Sequence, residues 1–183
     1  IIDEVENCLG ISAKNNDTLI ILGQKQDFIE GWLGCSVYQE IITGDFDGAP
    51  PPVNLNAEKQ IIEIIHTLNN NKLLTGAHDV SDGGLLIAIC EMLFENNLGL
   101  NVNLPKPLLN KDTKDHVLHS WCFGENQGRI IISTKETDKV VSLLKKYLID
   151  YFILGSTNTT SNLNLSNVDT ISISELNSIN EAT

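Results

Sequence analysis

Hydrophobic and polar positions along this chain switch between two periods. Thr18 to Leu22 is a short apolar run closed by Gly23, the pattern of a buried strand. Residues 32–43 suit a helix, and the turn formers and three prolines of GDFDGAPPPVNLN that follow demand a stiff, extended loop. From 57 to 71 the spacing changes: Ile61, Ile62, Ile64, Ile65 and Leu68 form one helical stripe, with Asn56 as the expected N-cap. Leu73 to Val80 predicts a strand. Leu85 to Glu95 predicts a helix that is apolar nearly all round, hence buried on more than one side. LNVNL at 100–104 alternates strictly, as a half-buried strand does. Residues 105–119 are polar and predict no defined element. Arg129 to Ser133 reads as a strand. Residues 136–149 read as a helix with Val140, Val141, Leu143, Leu144 and Leu148 facing inward, and Tyr151 to Leu154 as a strand ending at Gly155. NLNL and TISIS suggest a hairpin, and ELNSINEAT a helical stub.

Strands alternating with helices predict an α+β chain with α/β-type layering: three layers, α/β/α, around a sheet made mixed by its β-rich C-terminal end. No repeat of 20–50 residues interrupts the pattern, so residues 17–176 form one domain, with a lead-in at 1–16 and a tail at 177–183.

The 183 residues include 12 basic and 24 acidic side chains, a net charge of −12, and 42% are hydrophobic. That charge argues against nucleic acid and against an anionic membrane surface as partners. It still permits a nucleotide site, because a bound cation can bridge protein carboxylates to phosphates. Cys8, Cys35, Cys90 and Cys122 are widely spaced with no CxxC, which favours reduced thiols in a cytoplasmic protein over zinc or a disulfide framework. IIDEVENC has neither the basic region nor the cleavage site of a signal peptide, and the apolar run Leu85 to Cys90 is far too short to cross a bilayer. The missing initiator Met suggests a piece of a longer protein.

Candidate chemistry concentrates in GAHDVSDGG, residues 76–84, between a predicted strand and a predicted helix, where α/β folds place ligands. Asp79 and Asp82 offer hard oxygen ligands and Ser81 a hydroxyl. Gly83 and Gly84 permit close backbone approach, and the following helix offers its N-terminal N–H groups to a phosphate. The segment suits a Mg²⁺–phosphate group. It suits equally a structural turn in which Ser81 or Asp82 caps the helix. His78 fits an interior or supporting role more readily than a catalytic one. In FGENQGR, Glu125 and Arg129 stand four apart at the mouth of a strand. They could bind a polar ligand, dock a neighbouring domain or form a structural ion pair. Gly34-Cys35-Ser36 lacks a nearby base, so a nucleophilic thiol is not expected.

AHDVSDGGL before an apolar helix with a Glu-Met pair, then FGENQGR running into a β-branched strand, resembles the C-terminal domain of the phosphoribosylformylglycinamidine synthase (PurL) family. That domain belongs to the superfamily typified by aminoimidazole ribonucleotide synthetase. DTLIILG, LGCS (where the family usually has LGGS) and PPP with NLNAEKQII extend the likeness over residues 17–176. The resemblance implies the last three-layer domain of an ATP-dependent amidoligase, with a partly ferredoxin-like sheet and with residues 1–16 leading in from a preceding domain. The full enzyme would use ATP and Mg²⁺ to convert formylglycinamide ribonucleotide and glutamine-derived ammonia to the amidine. Its partners would be the preceding domains, a glutaminase subunit and a small PurS-type subunit. By resemblance Asp79 would be a magnesium ligand and Ser81 would touch nucleotide at an auxiliary, largely structural site, with Asp82, Gly83 and Gly84 beside it. His78, Glu125 and Arg129 are further candidates. The family's catalytic histidine and principal substrate residues belong to earlier domains, so this chain is expected to catalyse nothing alone. Other readings are a related domain of the aminoimidazole ribonucleotide synthetase, selenophosphate synthetase or thiamine-phosphate kinase type, or a non-catalytic docking module.

Overall fold

Seven apolar runs become strands in the computed structural model, which describes residues 5, 8–109, 115–165 and 168–182. They are β1 (Thr18–Leu22), β2 (Gly76–Asp79), β3 (Gly99–Val102), β4 (Ile130–Thr134), β5 (Tyr151–Asn158), β6 (Asn162–Leu165) and β7 (Asp169–Ser172). The helices are α1 (Val37–Thr43), α2 (Leu55–Asn70), α3 (Gly84–Phe94), α4 (Asp115–Phe123), α5 (Thr137–Lys146) and α6 (Ile173–Glu181). The strands form one sheet in the order β2-β4-β1-β5-β3-β6-β7. Its mixed character comes from the parallel pair β3–β6, since the other described pairs are antiparallel. The half β2-β4-β1-β5, with α2 and α5 on one face, is a ferredoxin-like split βαβ arrangement.

Alternation along β1 decides the layering. Ile20 and Leu22 face a core built with Ile61, Ile64 and Leu68 of α2 and Val140 and Leu144 of α5. Leu19 and Ile21 face a second core with α3, Trp121 of α4 and Ile173 of α6. The expected α/β/α sandwich is therefore present. α3 is buried as its composition predicts, through Leu85, Ala88, Ile89, Met92 and Leu93. The NLNL–TISIS hairpin forms as β6–β7, extended by α6 in place of a stub.

Several boundaries differ from the sequence reading, each for a physical reason. The helix expected at 32–43 begins only at Val37, because Cys35 adopts φ +56 and Ser36 caps the helix by accepting from Gln39 N. The N-cap of α2 is Asn54, not Asn56: its side chain accepts from Ala57 N at 3.2 Å. The strand expected over 73–80 is confined to Gly76–Asp79, where β4 pairs with it. Leu148 does not face inward. α5 ends at Lys146, and Leu148 takes φ +56 with 89% of its surface exposed. β5 continues past Gly155 to Asn158, absorbing a register shift against β1 between Leu19 and Ile20. The polar stretch 105–119 holds a 3-10 turn at Lys106–Leu109 and the start of α4. Parts of three sequence-based assignments lie outside the described residues: 1–4 and 6–7 of the lead-in, 110–114 of the polar stretch and 183 of the tail.

An apolar band is left uncovered outside α3, on which Ile87 is 41% exposed. It lies on α1, none of whose residues is buried, and in the loop after it: Ile41 is 75% exposed, Ile42 66% and Phe46 59%. An exposed band of this kind favours association. Sedimentation velocity of the isolated chain is expected to show concentration-dependent self-association that Ile41→Glu with Ile42→Glu reduces. A concentration-independent monomer would count against it.

Candidate functional site at the β2–α3 turn

The segment 76–84 leaves the sheet at β2, an edge strand paired to β4 with Asp79 opposite Ile130. One residue on, Val80 N still donates to Arg129 O at 2.9 Å. The chain then reverses. Gly84 N donates to Ser81 O, and Gly83 and Gly84 take φ +79 and +76, values that side chains with a Cβ rarely adopt. Neither Ser81 nor Asp82 caps α3, whose N-cap is Gly83 with no side-chain cap from its own turn. The cap comes from elsewhere. Glu125 Oε1 accepts from Gly83 N at 2.8 Å and from Val37 N, the first residue of α1, at 3.0 Å.

FGENQGR is a hub around that carboxylate. Glu125 N donates to Trp32 O, Trp32 N donates to Asn126 Oδ1 at 2.8 Å, and Asn126 Nδ2 donates to Asp27 Oδ1 at 2.9 Å. Arg129 is 1% exposed and donates through Nη2 to Gly124 O. Among the described residues its Nε and Nη1 have no hydrogen-bond partner. Burial lowers its pKa to about 10, opposed by the charges of Asp27 and Glu125, so it remains a cation at neutral pH. Burial raises Asp27 from 3.8, opposed by Arg129, Asn126 and Gln24. Of the roles open to Glu125 and Arg129, the geometry thus favours a structural charge cluster for Arg129. The partner carboxylates are Asp27 and Glu125, held by field rather than by a direct ion pair.

His78, nearly buried, lies between two acids: Nε2 is 3.0 Å from Glu91 Oε2 of α3 and Nδ1 is 3.3 Å from Asp79 Oδ1. Its neighbours make it a supporting residue of the turn.

The predicted site residues divide between two cavities. Asp79 and Ser81 line one of about 180 Å³ together with Glu58 of α2, Gln127, Gly128 and Arg129. Glu58 sits so close to Gly128 that a Cβ there would fall 2.7 Å from its Cγ. Asp82 and Gly83 line a different, apolar cavity of about 530 Å³ bounded by Ile41, Ile87, Phe94 and Leu176. Gly84 faces neither. It is buried against Phe123 and Gly124, so its freedom serves packing. Among the described residues no cluster of three or more His, Cys, Asp or Glu side chains could hold a metal ion unaided. Sequence reasoning missed Glu58 and Gln127. No local signal marks Glu58, because only the fold brings α2 to the cavity that Asp79 lines.

None of the four cysteines is paired. Burial pushes the Cys90 and Cys122 thiols up to about 12, so both are inert at neutral pH. Cys35 Sγ donates to Gly48 O at 3.2 Å in a left-handed backbone conformation, which accounts for the glycine expected there by resemblance. Among the described residues no helix is long and apolar enough to cross a membrane.

Residues 14–166 match the family model described as AIR synthase related protein, C-terminal domain. The phosphoribosylformylglycinamidine synthase subunit PurL of Rhodopseudomonas palustris (strain HaA2) is 36% identical over 143 residues, which is 77% of this chain and 18% of that protein. The chain therefore spans less than a fifth of that curated relative. Two solved structures share its fold. T. maritima PurL complexed with FGAR gives a TM-score of 0.69 at 19% identity, covering 94% of this chain and 30% of that one. T. maritima PurL complexed with ATP gives 0.64 at 20% identity, covering 94% and 27%.

Proposed function

We propose that this chain, which belongs to the AIR synthase related protein family of C-terminal domains, is the last domain of a phosphoribosylformylglycinamidine synthase. In the whole enzyme ATP phosphorylates the amide oxygen of formylglycinamide ribonucleotide, releasing ADP. Ammonia then displaces phosphate to leave the amidine. Glutamine hydrolysis by a partner glutaminase supplies the ammonia, with a small PurS-type subunit in the assembly, and the free thiols suit a cytoplasmic setting. This domain supplies no catalytic group. Its part is an auxiliary nucleotide site with a stabilising role.

The observation that carries this reading is the convergence of Asp79, Ser81 and Glu58 on one cavity. Two carboxylates there repel a phosphate unless a divalent cation lies between them. Mg²⁺ is usually held by one or two carboxylates, with phosphate oxygens and water completing six ligands. The donor set fits a cation that arrives with its phosphate, in keeping with the lack of a self-sufficient metal cluster. Asp79 and Glu58 would hold Mg²⁺ and Ser81 would donate to a phosphate oxygen. At about 180 Å³ the cavity admits the phosphate end alone, since sites that enclose a whole drug-sized ligand run to roughly 300–1,000 Å³. The nucleoside would rest on other domains.

In the full-length protein, sustained turnover to ADP and phosphate is expected to require both formylglycinamide ribonucleotide and ammonia, and the isolated chain is expected to form no ADP. MgADP at ~100 times its Kd should stabilise the domain by roughly 2.7 kcal/mol, an increment that Asp79→Asn at the same MgADP concentration cuts to about 1.4 kcal/mol or less. An unchanged increment in Asp79→Asn would exclude the site.

A second reading, a docking module for the other domains of the same enzyme, is favoured by the apolar cavity between α1, α3 and α6. It predicts full stability and no MgADP increment in either protein.

A further inference from the structure

The turn that carries Asp79 and Ser81 is tied down by a residue that does not line its cavity. The geometry points to Glu125 as the positioning residue of the site: its carboxylate locks the 79–84 turn in the shape that sets Asp79 and Ser81 toward Glu58. This rests on the function proposed above and adds to it the group that builds the site.

Three observations carry the inference. First, a single oxygen, Glu125 Oε1, accepts the amides of Gly83 and Val37, residues from segments 46 positions apart in the chain. Among the described residues no other side chain caps α3, and Ser81 and Asp82 are both exposed. Without Glu125 the Gly83 amide has no protein acceptor to define the turn, and two consecutive left-handed glycines leave it the least restrained stretch of the loop. Second, Glu125 is itself immobilised. Its own amide donates to Trp32 O, its neighbour Asn126 reaches Trp32 N and Asp27, and the buried Arg129 cation lies within its field. Third, the opposite end of the turn has a matching restraint in Glu91, which holds His78 from α3. The turn is pinned at both ends, and Glu125 supplies the side-chain pin that comes from outside β2 and α3, beside the backbone bond from Val80 N to Arg129 O. A hydrogen bond to a charged acceptor is worth more than a neutral one, and here one carboxylate makes two.

The test compares Glu125→Ala and Glu125→Gln in the 183-residue chain. Amide hydrogen exchange is read at Gly83 and Val37, with the β1 and β4 amides as a reference for global stability, and calorimetry measures the MgADP Kd. In Glu125→Ala, exchange at Gly83 and Val37 should rise at least about tenfold beyond any global change, and the MgADP Kd should rise at least about tenfold. Glu125→Gln keeps an acceptor oxygen in the same place and should restore both to within about threefold. The inference is overturned if Gly83 exchange in Glu125→Ala follows the reference amides. It is also overturned if local exchange rises while MgADP affinity holds, because Glu125 would then be a structural cap only. Should Glu125→Ala fail to fold, Glu125→Gln decides: a tenfold-weaker Kd or loss of Gly83 protection in that variant sinks the idea. No MgADP binding by the unsubstituted chain would refute the nucleotide reading, and with it the site that Glu125 is said to position. Gly83 exchange would then still report whether Glu125 holds the turn.

Discussion

Replacing Arg129 with methionine is expected to destabilise the chain by about 3–5 kcal/mol, the usual cost of breaking a buried charge cluster from one side. The guanidinium is 1% exposed and is the cation that offsets Asp27 and Glu125. Methionine fills much of the volume, so the loss is electrostatic in origin: Asp27, 7% exposed, loses the cation that offsets its burial. The pH dependence has a defined sign. The folded-state pKa of Asp27 is already raised above 3.8, so the folded chain binds its proton more readily than the unfolded one, and this group's contribution to stability falls as pH rises between those two values. Arg129 opposes that rise. Its removal carries the window upward, so the deficit of Arg129→Met should be larger at pH 7 than at pH 5. Urea denaturation at both values reads it, and adding Asp27→Asn should recover part of the loss at pH 7. A deficit below about 1 kcal/mol would mean that the cluster is not buried as described.

Gly84→Ala should be nearly as damaging, at roughly 2–5 kcal/mol, by adding a left-handed backbone penalty to an overpacked contact. The added Cβ would stand 2.5 Å from the Phe123 carbonyl carbon and 2.7 Å from Gly124 O, backbone atoms that cannot swing aside. The strain would fall where FGENQGR meets the β2–α3 turn, so MgADP affinity should drop along with the urea midpoint. Gly10 provides the contrast. A Cβ there meets nothing within 4 Å, and Gly10→Ala should change stability by less than about 0.5 kcal/mol. Equal midpoints for the two variants would contradict the packing described here.

These two positions mark the limit of what the sequence makes legible. Burial patterns that repeat within one element were readable. Four consecutive apolar residues, Leu19 to Leu22, make most of β1, the isoleucine stripe makes α2, and the largely apolar α3 declares its own burial. GAHDVSDGG was readable as a strand-to-helix turn because its glycines and acids are local signals. What failed depends on distant partners. Ser81 and Asp82 looked like helix caps, yet the cap arrives from Glu125, 42 residues beyond Gly83, and nothing in the turn announces a carboxylate from another loop. Asp79 and Asp82 looked like a ligand pair one turn apart, but the two acids line separate cavities. Glu58 was invisible for the same reason. The glycine-like backbone of Cys35 cut short a helix that hydrophobic spacing alone would have extended.

Asp79 and Ser81 are expected to form a Mg²⁺–phosphate site on this domain. The most direct test is calorimetric titration of MgADP into the 183-residue chain and into its Asp79→Asn variant. Saturable one-site binding is expected, which Asp79→Asn weakens at least about tenfold, with both proteins equally folded. A fully folded unsubstituted chain that gives no binding heat, or an Asp79→Asn variant that binds as tightly, would contradict it.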